Sequence, residues 1–522
     1  MKMLQVIFSK LNPLVDNRIN KLILIYIILL FQFNLFPQSE NLPDGSQVHN
    51  PKSAISNLVS GIEKIINDPF FEKTTIAIDI FDLTDSISLF QKNEKLLLRP
   101  ASNMKLLTTA AALINLGEYY SFRTDLYHTG VIESDTLFGD VFVVGGFDPD
   151  FTTEDLDSLV RVIKSLGIKY ITGGVYGDIS KKDSMYWGRG WMWDDDPEPS
   201  APYLSALNIN DNSVEVFVEG SEVGSPAKVT LIPSTEFVKV ENNSVTVAEG
   251  NAGDFLITRD WVNRKNTILV NGKVSKTELN ISSENKSKVN LLYPERYFLT
   301  LFKEHLELGG IYIDKPIDIK QLDKNSVYLA TIYRAIDTVL SVVNKDSDNL
   351  SAEMLLYAMA YNDSGAPAAA NDGLAAVKRF IDSIGLISDD YSFADGSGVS
   401  HYNLVSAELI LKTLKYFYYE RKDLFPLFYN SLAVAGVDGT LKNRMKNTAA
   451  QNNVHAKTGT LNGVSNLSGY VTAKNGHLLA FSIMIQNFVE EYSKARSFQN
   501  RICESAVSGV GNGITNEKLF FL

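Results

Sequence analysis

Arg99-Pro100-Ala101-Ser102-Asn103-Met104-Lys105 opens a segment in which Met104, Leu106, Leu107, Ala110, Ala111, Leu113 and Ile114 recur at helical spacing until Gly117 supplies a C′ residue. Apolar side chains fall around most of the resulting helix, so a largely buried helix is predicted. At its first turn stand Ser102 and Lys105, three residues apart, and i and i+3 side chains share a helix face. A serine hydroxyl is a poor nucleophile at its own pKa and needs a base beside it. A lysine near the positive end of a helix and partly desolvated can be neutral enough to be that base. The spacing alone is not distinctive, because Ser283-Glu284-Asn285-Lys286 repeats it in a polar stretch with no apolar helix behind it. Context singles out Ser102.

On the N-terminal side, Thr74 to Phe81 is rich in β-branched and apolar residues, and Ile87 to Phe90 follows across a polar turn, which reads as a β-hairpin. From Thr124 to about Ser287 the chain breaks into short β-type runs such as Val141 to Val144 and Val229 to Ile232. Helical patterns return at Arg296 to Leu308, Ala352 to Tyr361, Leu374 to Ile384 and Ala407 to Tyr419. Ser468 to Ala473 and Leu478 to Ile485 then flank Lys474-Asn475-Gly476-His477, where Asn475-Gly476 is a tight-turn signal for a second hairpin. Strands at both ends with helices between predict an α+β fold: one antiparallel sheet, flanked by helices, built from both chain ends, with a β-rich insertion. The expected divisions are a signal segment 1–38, a discontinuous catalytic domain 39–123 and 288–522, and an inserted region 124–287.

Two further elements carry chemistry. Ser347-Asp348-Asn349 lies directly before the helix that bears Glu353; taken alone it reads as an N-cap, with Asp348 and Glu353 suiting the helix dipole. Lys457-Thr458-Gly459-Thr460 follows Val454-His455-Ala456 and reads as strand. There Lys457 and Thr458 can hold a carboxylate by charge and hydroxyl donation, while Gly459 would let a substrate backbone approach. Together and in this order the three elements match S-x-x-K, S-x-N and K-T-G, the set of penicillin-binding proteins and class A β-lactamases.

On these residues the chain resembles the low-molecular-mass penicillin-binding proteins that are D-alanyl-D-alanine carboxypeptidases and endopeptidases, in the subclass with a large insert after the nucleophile helix. The resemblance also covers Gly139-Asp140, Gly145-Gly146-Phe147-Asp148-Pro149, Trp191-Met192-Trp193-Asp194-Asp195, Ser205-Ala206-Leu207, Asp395-Gly396-Ser397-Gly398 and Ala435 to Leu441, and runs nearly continuously from about Thr74 to Ile485. It departs from the family at Phe147, where a small residue is more usual. The roughly 240 residues between the first two motifs separate this subclass from β-lactamases.

The resemblance implies a β-lactamase/transpeptidase-like catalytic domain. It also implies Ser102 as nucleophile, Lys105 as base, Ser347 as proton relay, Asn349 on the substrate amide and Lys457 with Thr458 on the terminal carboxylate. The backbone N–H groups of Ser102 and Thr460 would form the oxyanion hole, with Gly459 beside them. It implies peptidoglycan peptides and β-lactams as partners and no cofactor. A β-lactamase or esterase of the same fold, and a non-catalytic peptidoglycan-binding relative, remain as alternatives.

Composition agrees with a folded enzyme, at 45% hydrophobic and 21% charged residues. The formal net charge of −12, with no long basic run, argues against a nucleic-acid partner. Lys2, Lys10, Arg18 and Lys21 precede an apolar run from Leu22 to Phe36 that is too short to span a bilayer, so export to the periplasm or another extracytoplasmic space is expected, with cleavage near Gln38. Asn516 to Leu522 is too short to anchor the chain, so at most a loose membrane association is expected. Cys503, the only cysteine, is expected to be buried and inert. None of the six histidines stands in a metal-ligand spacing, His455 is expected to pack, and Trp191 and Trp193 are expected in core or interdomain packing.

Overall fold

The computed structural model describes residues 51–251, 253–276, 286–489 and 492–509. The expected signal segment 1–38, Ser283 to Asn285 and the tail Asn516 to Leu522 lie outside the described residues.

A six-stranded antiparallel sheet organises the half of the fold built from both chain ends. Its order is Ala433–Val434, Val454–Leu461, Val464–Thr472, Leu478–Gln486, Thr75–Asp82 and Ile87–Lys92. Both hairpins read from the sequence are present, and Gly476 takes a φ of +86° in the second turn. The two chain ends meet in register, Ile78 opposite Ile483 and Ile80 opposite Phe481. His477 from the second turn reaches Asp82 at the end of the first strand, Nδ1 to Oδ2 2.8 Å, and ties the hairpins together.

Side chains of a strand alternate between faces, and here both faces are covered. Ile76, Ile78, Ile80, Phe481, Ile483 and Ile485 turn toward the terminal helices Pro51–Ile66 and Tyr492–Gly509, in one core with Cys503. Burial pushes the Cys503 thiol up to about 12, so it stays protonated and inert. Ala77, Ala480, Met484 and Tyr470 turn to the opposite core, whose centre is the helix Met104–Leu116. Every residue of that helix from Met104 to Leu113 is buried, as expected of a helix apolar on all sides. It ends at Gly117, φ +83°, whose N–H donates to Leu113 O. Around it pack Asn349–Ser364, Ala370–Ser383 and Ala407–Tyr419, close to the expected helices.

A third core lies in the region between about Ser121 and Ala335. Ser121–His128 stands between Val141–Val144 and Val327–Ala335 in a five-stranded mixed sheet completed by Val175–Asp178 and Asp318–Ile319. Three smaller sheets surround it. Residues 288–335, expected in the catalytic domain, contribute here: Tyr297, Phe298, Leu301 and Phe302 of the helix Pro294–Leu308 share a core with Val141, Leu156 and Val216. Helical periodicity reports that a segment is amphipathic and is silent about which core its apolar face joins.

Candidate active site

The turn Ala101–Asn103 carries Ser102 into the Met104–Leu116 helix, and the main sheet clamps this turn. Asn466 Nδ2 donates to Pro100 O at 2.7 Å, Gln486 Nε2 to Arg99 O at 2.6 Å, and Asn103 Nδ2 to Ser468 Oγ at 2.6 Å. Each donor or acceptor on the sheet side sits on a strand buried on both faces, so the hydroxyl is held against the centre of the main sheet.

One helical turn on, Lys105 is fully buried, and its Nζ has three neighbours: Ser102 Oγ at 3.0 Å, Asn349 Oδ1 at 2.5 Å and Ser397 O at 2.7 Å. The last two can only accept. An uncharged amine therefore spends its two N–H groups on them and turns its lone pair toward the Ser102 hydroxyl, the arrangement required of a base. Burial brings the amine down to about 8, with the charges of Asp348, Asp395 and Glu353 acting in opposition.

Ser347 has a left-handed backbone, φ +66°, and its Oγ accepts from Lys457 Nζ at 2.8 Å. The next residue, Asp348, is the N-cap of Asn349–Ser364, its Oδ2 accepting from Ser351 N at 2.6 Å. The capping reading of this motif is thus realised by Asp348, while its neighbour Ser347 turns its hydroxyl to Lys457. Asn349 directs Oδ1 to Lys105 and Nδ2 to the carbonyl of Ser200.

Lys457 lies on Val454–Leu461, fully buried. Burial, then the nearby Lys105 charge, holds its amine well below the usual lysine range, while Asp346 opposes this. Thr458 Oγ1 donates to Thr440 Oγ1 at 2.9 Å. Gly459 has a reason different from the expected substrate approach: a Cβ there would stand 2.7 Å from Pro100 O and 3.1 Å from Asn103 N. The glycine lets the strand touch the nucleophile turn.

These elements surround a cleft of about 380 Å³. Of the eight expected residues, Ser102, Ser347, Asn349, Thr458 and Thr460 line it, whereas Lys105, Lys457 and Gly459 are buried beneath its floor. The wall also holds Ser200, Thr440, Arg444 and Arg496, which sequence reasoning did not assign. Arg444 spends Nε and Nη2 on Asn500 Oδ1 and Gln499 Oε1 of the C-terminal helix.

The loop Asp395-Gly396-Ser397-Gly398, which the sequence marks only by family likeness, supplies the carbonyl that holds Lys105. Glu353 Oε1 accepts from Gly396 N at 3.0 Å and from Ser397 N at 2.8 Å, a tertiary role in place of the expected dipole contact. Asp395 accepts from Gly398 N, Ser400 N, Asn403 Nδ2 and Trp191 Nε1, all within 2.9 Å. Burial, then the Asp395 charge, pushes the Glu353 carboxyl up.

His455 stacks on Tyr429 with ring centroids 4.2 Å apart, a packing role as expected. Trp191 is buried, but Trp193 is not, being 73% exposed against Trp261.

Comparison with known proteins accords with this geometry. Residues 58–506 match the family described as the D-Ala-D-Ala carboxypeptidase 3 (S13) family. A D-alanyl-D-alanine carboxypeptidase of Actinomadura sp. (strain R39) is 30% identical over 475 residues, covering 88% of this chain and 85% of the relative. The D-alanyl-D-alanine carboxypeptidase DacB of Haemophilus influenzae is 29% identical over 396 residues, covering 74% and 80%. Among solved structures, penicillin binding protein 4 (dacB) from Haemophilus influenzae has a TM-score of 0.73 at 25% identity, covering 87% of this chain and 99% of that one. The same protein complexed with a novel β-lactam has a TM-score of 0.66 at 24% identity, covering 85% and 98%, and shows the same fold.

Proposed function

The chain belongs to the D-Ala-D-Ala carboxypeptidase 3 (S13) family, and from this we propose that it hydrolyses D-alanyl-D-alanine ends of peptidoglycan stem peptides through an acyl-enzyme on Ser102. The observation that carries the assignment is the Lys105 amine 3.0 Å from Ser102 Oγ, with its other two neighbours acceptors only.

Ser102 Oγ attacks the carbonyl between the two D-alanines and gives its proton to Lys105 Nζ. The oxyanion is met by the N–H groups of Ser102 and Thr460, donors that act on charge present only in the transition state, where losing one costs ~3 kcal/mol. Ser347, bonded to Lys457, relays the proton taken up by Lys105 to the leaving amine, which returns Lys105 to its neutral form, and terminal D-alanine departs. Asn349 holds the substrate amide; Thr458 holds the terminal carboxylate with the Lys457 amine buried behind it, and Gly459 keeps that strand against Ser102. Water then cleaves the ester, with Lys105 again taking a proton. A β-lactam forms the same ester, but its leaving amine stays tethered to the acyl group.

The basic N-terminus and the apolar run from Leu22 to Phe36 support export. Among the described residues no helix is long and apolar enough to cross a membrane. Strand pairing and shared cores support a catalytic domain interrupted by an insert from about Ser121 to Ala335, wider than the sequence patterns suggested.

Labelling with a fluorescent penicillin tests the assignment. Wild type takes up label and Ser102→Ala does not; equal labelling of the two would end it. Mass spectrometry of products from disaccharide-pentapeptide and from cross-linked dimer separates carboxypeptidase from endopeptidase action.

A further inference from the structure

All four tryptophans of the chain, Trp187, Trp191, Trp193 and Trp261, converge on one groove of about 630 Å³ in the inserted half. Trp187 and Trp191 form its floor, edge to face with centroids 5.3 Å apart. Trp193 and Trp261 form an outer wall, centroids 4.8 Å apart at 39°. That wall is open: Trp193 is 73% exposed, and Val262 and Met185 beside it are 68% and 58% exposed. A surface that needed tryptophan only for packing would bury these rings, since an indole brings a large apolar area and one N–H. Arg264 and Ser184 give the rim polar groups. The volume falls within the range of small-molecule sites.

Two connections join this groove to the catalytic cleft. Trp191 Nε1 donates to Asp395 Oδ2 at 2.9 Å, and the Asp395 loop presents the Ser397 carbonyl to Lys105. The chain that leaves Trp193 reaches Ser200 seven residues later, and the Ser200 carbonyl accepts from Asn349. Seven residues span at most about 25 Å. The four stem-peptide residues between a muramyl sugar and the scissile bond reach ~14 Å when extended. A substrate with its D-alanines at Ser102 therefore places its sugars up to ~14 Å from the cleft, a reach within the bound of about 25 Å on the chain from Trp193 to Ser200.

We propose that the tryptophan groove binds the amino-sugar strand of peptidoglycan, the axial C–H faces of its pyranose rings stacking on Trp193 and Trp261. Such faces are apolar while the ring edges carry hydroxyl and acetamido groups, which matches apolar walls with a polar rim. The inference rests on the proposed peptidase function, and it assigns the insert a part in substrate choice.

The first test compares D-alanine release from a disaccharide-pentapeptide and from the free pentapeptide. Wild type prefers the sugar-bearing substrate through a lower KM. Trp193→Ala and Trp261→Ala lose that preference by about tenfold in kcat/KM, while release from the free pentapeptide and acylation by penicillin stay unchanged. Equal treatment of the two substrates by wild type and variants overturns the proposal.

Intrinsic fluorescence separates this failure from failure of the peptidase reading. Peptide-free glycan strands shift wild-type tryptophan emission and leave Trp193→Ala less affected, even in an enzyme that releases no D-alanine. Absence of a shift overturns the proposal, as does sedimentation showing self-association that Trp193→Ala abolishes, which would give the groove to a second copy of the chain.

Discussion

A Cβ on Gly459 would stand 2.7 Å from the carbonyl oxygen of Pro100, the same oxygen that accepts Asn466 Nδ2 from the neighbouring strand. Gly459 and Asn466 are partners in the sheet, so strand pairing and nucleophile position are a single contact. Gly459→Ala should push the turn from the strand, cost about 1–3 kcal/mol in stability and slow acylation at least tenfold. Penicillin acylation kinetics beside a thermal melt check this. An unchanged acylation rate would mean that the strand does not set the position of Ser102.

The Lys105 amine, brought down to about 8, must be neutral to accept the Ser102 proton. Deprotonation accompanies rising pH, so kcat/KM should climb through about pH 8 and level off above it. Lys105→Arg keeps a permanent charge and cannot act as base, which predicts a loss of roughly 10²–10⁴ in acylation. A pH profile flat from 6 to 9 in wild type would remove Lys105 from the role.

Ser347 and Asp348 are adjacent, but their substitutions should differ in kind. Asp348→Ala removes the cap on Ser351 N and should cost about 1 kcal/mol or more, visible as a lower Tm. Ser347→Ala removes the hydroxyl bonded to Lys457 and should lower turnover with the melt nearly unmoved. Swapped phenotypes would exchange the two roles.

Glu353 binds two buried amides, so Glu353→Ala strands both at about 1–3 kcal/mol each and frees the loop bearing the Ser397 carbonyl. Glu353→Gln retains an acceptor and should melt closer to wild type. It also removes a negative charge that raises the Lys105 pKa, so its pH profile should rise at lower pH. Equal melts for the two variants would show that the amides find other partners.

How much of this was legible in the chain depended on the range of the interaction involved. Ser102 and Lys105 are one helical turn apart, and a hydroxyl, an amine and an apolar periodicity suffice to place them together. The Asn475-Gly476 turn and the β-type runs likewise specify their hairpins locally. The sequence suggests only a dipole contact for Glu353, because its two amides lie more than forty residues away, in a loop with no regular pattern. The same limit applies to residues 288–335, expected in the catalytic domain, whose helix Pro294–Leu308 shares a core with Val141, Leu156 and Val216.

Sequence by itself determined the chemistry of the site and the order of its parts, since motif spacing and local periodicity act over a few residues. Tertiary structure alone decided that Ser397 O and Asn349 Oδ1 occupy the two N–H groups of Lys105, that Gly459 serves the nucleophile turn, and that four tryptophans meet in one groove. Those contacts join segments tens to hundreds of residues apart, and only the folding of the cores brings them within reach.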